Sequence, residues 1–91
     1  MKLSLRPSRI DNIVCRPEDD GAFLFNPETG HITYINRTAL EVYKLIDGEK
    51  DIQAIFDIFR QRYPEVDSVQ LETDMKAIFD SLDENQFISS R

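Results

Sequence analysis

Polar and apolar positions follow two different rhythms along this chain, and the change of rhythm divides it. In the first third, short apolar runs are separated by turn signals. "NIVCR" (12–16), "AFLF" (22–25) and "HITYI" (31–35) read as three strands. Between them, "RPEDDG" (16–21) and "NPETG" (26–30) each place Pro early, polar residues next and Gly last. Proline presets φ for a type I turn, and the glycine takes the left-handed conformation that closes a hairpin. The pattern predicts a three-stranded antiparallel meander. "AFLF" is apolar at every position, as expected of a central strand. "HITYI" becomes an edge, with Ile32 and Tyr34 on one face and His31, Thr33 and Ile35 on the other.

From Asn36 onward the apolar spacing is helical. Asn36 suits the N-cap of a first helix running to about Ile46, with Ala39, Val42, Tyr43 and Ile46 on one face. Asp47-Gly48 stops it. A second helix starts after Asp51, carries Ile52, Ile55, Phe56 and Phe59, and ends before Pro64. A third begins at Asp67, where Gln70 three residues on makes a capping-box pattern and Val66 with Leu71 a hydrophobic staple. Leu71, Met75, Ile78 and Leu82 form its core stripe, widened by Phe79. The tail "NQFISSR" is expected to fold Phe87 and Ile88 back onto the core. The fold class is therefore α+β, in the order βββααα, as one domain over residues 1–91 with its core at about 12–88.

Composition narrows the function classes. At 41% hydrophobic and 31% charged, the chain has the balance of an ordinary folded domain. No apolar run approaches the ~20 residues of a membrane span, and MKLSLRPSR lacks the apolar stretch of a secretory signal. One cysteine, Cys15, cannot form an internal disulfide, so a reducing, cytoplasmic setting is expected. The net charge of −6 is uneven. Residues 65–91 hold seven acids (Glu65, Asp67, Glu72, Asp74, Asp80, Asp83, Glu84) against Lys76 and Arg91. A nucleic-acid-binding helix would be basic, so that partner is not expected.

Catalytic and metal chemistry find little footing. His31 and Cys15 are single residues of their kind and lie in different strands. "EDD" (18–20) reads as a solvated turn without a calcium-loop pattern, and no glycine-rich phosphate loop exists. No cofactor and no metal are expected. The feature left over is the edge "HITYI". Edge strands are usually blunted by Pro, Lys or a bulge. This one has none of these, and such an edge invites strand addition.

With the elements in order, the residues resemble the PqqD-like family (pyrroloquinoline quinone biosynthesis protein D), also described as RiPP precursor-peptide recognition elements. "RPEDDGAFLFNPETGHITYIN" is similar to the family's opening meander, "TALEVYKLIDG" to its first helix, "IQAIFDIFRQRYPEV" to its second and "DMKAIFDSLDENQFI" to its third helix and closing aliphatic pair. The resemblance implies a winged helix-turn-helix-like fold without catalytic activity. It also implies an adaptor that binds the leader segment of a ribosomally made precursor peptide as an added strand. The adaptor presents the leader to a radical S-adenosylmethionine enzyme, a cyclase-type enzyme or a leader peptidase. Carried over by position, the peptide-binding residues are His31, Ile32, Thr33, Tyr34 and Ile35 on the strand. On the third helix they are those near Leu71, Asp74, Met75 and Ile78. Ile32, Tyr34 and Met75 are candidate pocket walls. One position departs: the family commonly has Gly where this chain has Gln86. Two rival readings follow from the residues, a winged-helix nucleic-acid binder and a module that forms a homodimer through the same edge.

Overall fold

The computed structural model describes residues 3–89. Its elements run β1 (Ser8–Arg9), β2 (Val14–Glu18), β3 (Gly21–Asn26), β4 (His31–Asn36), α1 (Arg37–Leu45), α2 (Ile52–Arg62), α3 (Ser68–Glu84) and β5 (Ile88–Ser89). The meander expected from the sequence forms as a three-stranded antiparallel sheet in the order β2-β3-β4. The three helices follow. The addition is a second, two-stranded sheet that pairs Ser8 with Ser89 and Arg9 with Ile88. Two-residue pairings are too short to leave a hydrophobic period, so the sequence pattern does not announce them.

The meander's two turns differ from expectation in instructive ways. Glu18 pairs with Gly21, so Asp19 and Asp20 alone make the first turn. Pro17 lies inside β2, paired with Ala22, rather than in the turn. An edge strand tolerates it, because a residue whose N–H side faces solvent needs no ladder bond. Gly21 is required for closeness rather than for a left-handed φ. A Cβ there would collide with the backbone oxygen of Ile35. Gly30 does take φ +76 and closes the β3–β4 hairpin, its N–H bonded to the Asn26 carbonyl at 2.8 Å.

β3 is not buried on both faces. Ala22 and Leu24 are fully buried, whereas Phe23 on the other face is 37% exposed, so one side of the sheet meets the helices and the other meets solvent. The inner face joins a single cluster with Ile35, Ala39, Val42, Ile55, Phe59, Met75, Phe79 and Leu82. Phe87 and Ile88 fold back into it, as the tail was expected to do.

Each helix start is capped as its sequence indicates. The Asn36 side chain accepts from Ala39 N at 2.9 Å and the Asp51 side chain from Ala54 N at 2.8 Å. Asp67 accepts from Gln70 N at 3.4 Å, but the Gln70 side chain bonds forward to Asp74 at 2.9 Å, leaving the capping box one-sided. At α2 the first N–H groups would lack intrahelical partners. Here the segment before β1 supplies them. Ile52 N donates to the Leu5 carbonyl and Gln53 N to the Leu3 carbonyl, both at 3.0 Å. Leu3 and Leu5 also pack on the core, extending it upstream of the expected limit at residue 12. In the α1–α2 corner, Asp47 accepts from the Lys50 ammonium at 2.6 Å and from the backbone N–H groups of Lys50 and Glu49. Those bonds, the Lys50 side chain foremost, hold its carboxyl far below the usual carboxylate range.

Candidate peptide-binding groove

β4 is the exposed margin of the sheet, and among the described residues no strand pairs with its outer side. Its last residue, Asn36, is also the N-cap of α1, so the backbone turns away at that point. The other margin, β2, carries Pro17 and an Arg16–Glu18 ion pair at 3.8 Å, devices that discourage edge pairing. β4 carries neither. In an antiparallel strand every second residue turns its N–H and C=O away from the partner. Along β4 those groups face outward.

A groove runs beside this edge. Tyr34, Ile35, Asn36 and Ala39 form one wall and Ala77, Ile78, Ser81 and Leu82 of α3 the other, around a volume of about 230 Å³. It is open because the facing residues are small: a longer side chain at Ala39, Ala77 or Ser81 would fill it. Residues at three- and four-residue spacing on a helix share a face. Gln70, Asp74, Ala77, Ile78, Ser81 and Asn85 therefore lie along the groove side of α3. From Asp74 to Asn85 the helix rises ~16 Å at ~1.5 Å per residue. His31 to Ile35 spans ~13 Å at ~3.3 Å per residue. The groove itself takes up the Tyr34–Asn36 end of the strand and the Ala77–Leu82 stretch of the helix, a length of about two to three extended residues.

The residues expected to bind are distributed unevenly. Ile35 is buried at the base of the groove, and Ile78 lies half-buried on its helical wall. Asp74 is exposed one turn before Ile78 on the same side of α3, and it borders a separate smaller hollow with Thr38, Val66 and Leu71 rather than the groove itself. Thr33 is half-buried. His31 lies at the far end, its ring 5.9 Å from that of Phe87, beside a hollow formed with Glu84, Asn85 and Gln86. Ile32 is 61% exposed on the outer, solvent face of the sheet, so it is not a wall of the groove. Tyr34 shares that outer face and borders the groove at the edge. Met75, 1% exposed, is packed in the core rather than presented at the groove surface. Leu71 is also buried, beneath a smaller hollow with Val66 and Thr38.

Of the acids on α3, only Asp74 lies on the groove stripe and Glu84 at the hollow beside His31. Glu72 is taken up by Lys76 at 3.2 Å on the opposite side. Asp80, Asp83 and Glu84 crowd the last turns of α3, whose final turn holds no base. Acids there oppose the helix dipole, so they deepen the negative potential at the His31 end. The family resemblance suggested Asp74 and Ile78 but not Ala39, Ala77 and Ser81. Small residues leave no signal of their own, although the spacing from Asp74 through Ile78 already passes through Ala77 and Ser81.

Two further features lie at the His31 end. Asn26, 4% exposed, donates from Nδ2 to the Gln86 carbonyl at 3.0 Å and accepts Glu28 N at 2.9 Å. It fastens the β3–β4 hairpin to the end of α3. Gln86 itself has φ 63, the left-handed region where glycine is at ease. The turn thus keeps the conformation a glycine would give it. Cys15 is exposed on β2, away from the groove. Among the described residues no group of His, Cys, Asp or Glu is placed to hold a metal ion, and no helix is long and apolar enough to cross a membrane.

The family model described as Coenzyme PQQ synthesis protein D (PqqD) matches residues 21–88, which take in β3, β4 and all three helices. The chain belongs to the PqqD family. Curated relatives described as PqqA binding proteins, from Pseudomonas paraeruginosa and Pseudomonas aeruginosa, are each 38% identical over 53 residues, covering 58% of this chain and 55% of theirs. The chain thus matches about half the length of those relatives. A solved structure, TbiB1 in complex with the TbiA(beta) leader peptide, superposes with a TM-score of 0.75 over 90% of this chain and 94% of that one at 21% identity, which shows a shared fold. The α+β arrangement read from the sequence is therefore that of a PqqD family domain, with the β1–β5 pair added.

Proposed function

We propose that this PqqD family chain is a non-catalytic adaptor that binds the leader segment of a ribosomally synthesised precursor peptide. The leader adds as a strand along β4, its inward side chains filling the groove against α3. A modifying enzyme or leader peptidase then acts on the remainder of the precursor. The observation that carries this reading is the contrast between the two sheet margins. β2 is blunted by Pro17 and a charge pair, whereas β4 is unblunted and flanked by a groove against α3. Names among the relatives agree with it: curated ones are described as binding PqqA, and the structure of like fold holds a leader peptide.

Main-chain pairing supplies affinity with little sequence demand, at ~0.5–1.5 kcal/mol net for each hydrogen bond. Selectivity then falls to the side chains lining Ile35, Ile78 and Ser81. Ordering a flexible leader costs entropy, so moderate affinity is expected. The acids along α3 weigh against a nucleic-acid partner. The test is binding, by fluorescence anisotropy, of labelled peptides made from short reading frames that neighbour the gene. Thr33→Pro and Tyr34→Pro bracket the outward N–H, and Ala77→Trp fills the groove from an exposed position. At least one proline and the tryptophan should abolish binding with the fold intact. Affinity unchanged in all three variants would refute strand addition here.

A further inference from the structure

The groove accounts for one side of β4 and leaves the other unexplained. On the outer face, strand register aligns two rows across the sheet. Val14 is opposite Phe25, which is opposite Ile32. Arg16 is opposite Phe23, which is opposite Tyr34. The Phe23 and Tyr34 rings meet edge to face at 5.4 Å. The rows enclose a shallow hollow of about 300 Å³ between Val14, Arg16, Phe23, Phe25 and Ile32. They end differently at the two margins. On the β2 side the rows reach the strand that Pro17 and the Arg16–Glu18 pair blunt. On the β4 side they stop at Ile32, 61% exposed, and Tyr34, 46% exposed, with no neighbour beyond. Isoleucine and tyrosine at the open end of a sheet row leave their outer flanks in water, next to the same bare backbone that forms the edge.

We propose that the bound peptide is read on both faces of the sheet. Two of its apolar or aromatic side chains, at positions i and i+2, continue the rows past Ile32 and Tyr34, while the residues between and beside them enter the groove. This rests on the strand-addition reading and adds the identity of the residues that strand must carry. Side-chain parity is fixed in a strand, so a residue opposite Ile32 faces outward and one opposite Thr33 faces inward. Directly opposed side chains sit ~4.5–5.5 Å apart, within contact of both rows. The groove side, lined by Ile35, Ile78 and Leu82, is apolar as well. The recognised segment is therefore a continuous apolar run of about four residues, not an alternating one. Each row contributes about 1.4–5-fold in affinity, the range of cross-strand pairs.

The probe is a phage-displayed library of random ten-residue peptides, panned against the full chain. Peptides enriched on the wild type should carry the four-residue apolar run. The double variant Ile32→Thr/Tyr34→Thr keeps β-branched residues suited to a strand, and an unchanged Tm verifies its fold. It should enrich alternating sequences instead and bind the original peptides about 2–25-fold more weakly. If the wild type itself selects alternating peptides, or the double variant selects the same ones, the two-faced reading is wrong and strand addition stands. If no peptide is enriched, or Thr33→Pro and Tyr34→Pro both leave the selected peptides bound, strand addition fails and this inference fails with it. A dimer on a sizing column that the double variant abolishes and selected peptides do not dissociate would assign the face to a second copy and overturn the proposal.

Discussion

Asn26 is the residue on which the closed end of the groove depends, and its contribution can be worked out bond by bond. Its side chain is buried and bonded at both ends: Nδ2 reaches the Gln86 carbonyl, 60 residues away in sequence, and Oδ1 accepts Glu28 N. Asn26→Ala removes both bonds. At ~0.5–1.5 kcal/mol net apiece, the loss is about 2 kcal/mol. For a domain of this size 1 kcal/mol moves Tm by ~4–8 °C, so the drop should be roughly 8–16 °C in a calorimetric or circular-dichroism melt. The damage should also be local. Hydrogen–deuterium exchange should accelerate first at the hairpin turn and at residues 85–88, before the core of α2.

Asn26→Asp separates the two bonds. The carboxyl keeps the Glu28 contact, but only its protonated form can donate to the Gln86 carbonyl. Burial and that carbonyl favour the neutral form and together outweigh the Glu28 N–H, which favours the charged one, so its folded-state pKa should lie above the unfolded value of ~3.9. A raised pKa means stability present below the unfolded value and lost as pH rises through the folded one. Asn26→Asp should therefore exceed Asn26→Ala in stability most clearly near pH ~3 and lose that advantage toward neutrality. If Asn26→Ala melts within ~2 °C of wild type, or the two variants keep a constant difference across pH, the clasp between hairpin and α3 has no energetic substance.

Three other consequences are open to measurement. Gln86→Gly relieves a left-handed residue, a cost of ~1–2 kcal/mol, and restores ~0.4–1 kcal/mol of unfolded-state entropy, so a net gain of about 0.5–1 kcal/mol should raise Tm by a few degrees; a lower Tm would mean that the Gln86 side chain does more than its exposure suggests. Asp74→Asn should weaken binding of a Lys- or Arg-bearing peptide a few-fold at low salt and flatten the salt dependence, and an unchanged salt titration would remove Asp74 from recognition. Asp47, whose carboxyl is held low, stabilises the α1–α2 corner above the unfolded carboxylate pKa and loses that contribution as pH falls through and below it; Asp47→Asn should therefore flatten the acid limb of a Tm-versus-pH curve, and an identical limb would count against the Lys50 bond.

Much of this architecture is legible in the sequence because the residues that set it act locally. Asn36, Asp51 and Asp67 cap the helices they precede, and the apolar spacing of α1, α2 and α3 places the faces that are buried. What escaped depends on contacts between distant segments. Leu3 and Leu5 cap α2 with their carbonyls, a role any residue with a backbone oxygen can play. Asn26 looked like a turn residue, since its partner Gln86 is far away in the chain. Phe23 and Phe25 suggested a strand buried on both sides. Their outward aromatics show that apolar character in a strand marks a surface in need of contact, whether or not this chain provides it. For the groove, the family resemblance suggested Asp74 and Ile78, and the residues of β4 could not tell which of its faces looks toward α3, because both faces are largely non-charged.

The geometry also explains why the acceptor edge stays vacant within the chain. A free, flat strand edge is an aggregation hazard unless something limits what can reach it. At one end of β4 the chain leaves the sheet through Asn36, which is both its last strand residue and the cap of α1. At the other, Asn26 and the left-handed Gln86 hold the end of α3 against the hairpin. Between these fixed points α3 stands beside the edge across a groove whose floor holds Ile35 and Leu82 and whose opening is left by the small side chains of Ala39, Ala77 and Ser81. A full sheet from another globule would have to fit between β4 and that helix, whereas a single extended strand fits as it is. The edge is thus open to a flexible peptide and hindered for a folded partner, and Ala77→Trp, by closing the remaining space, should remove the first without inviting the second.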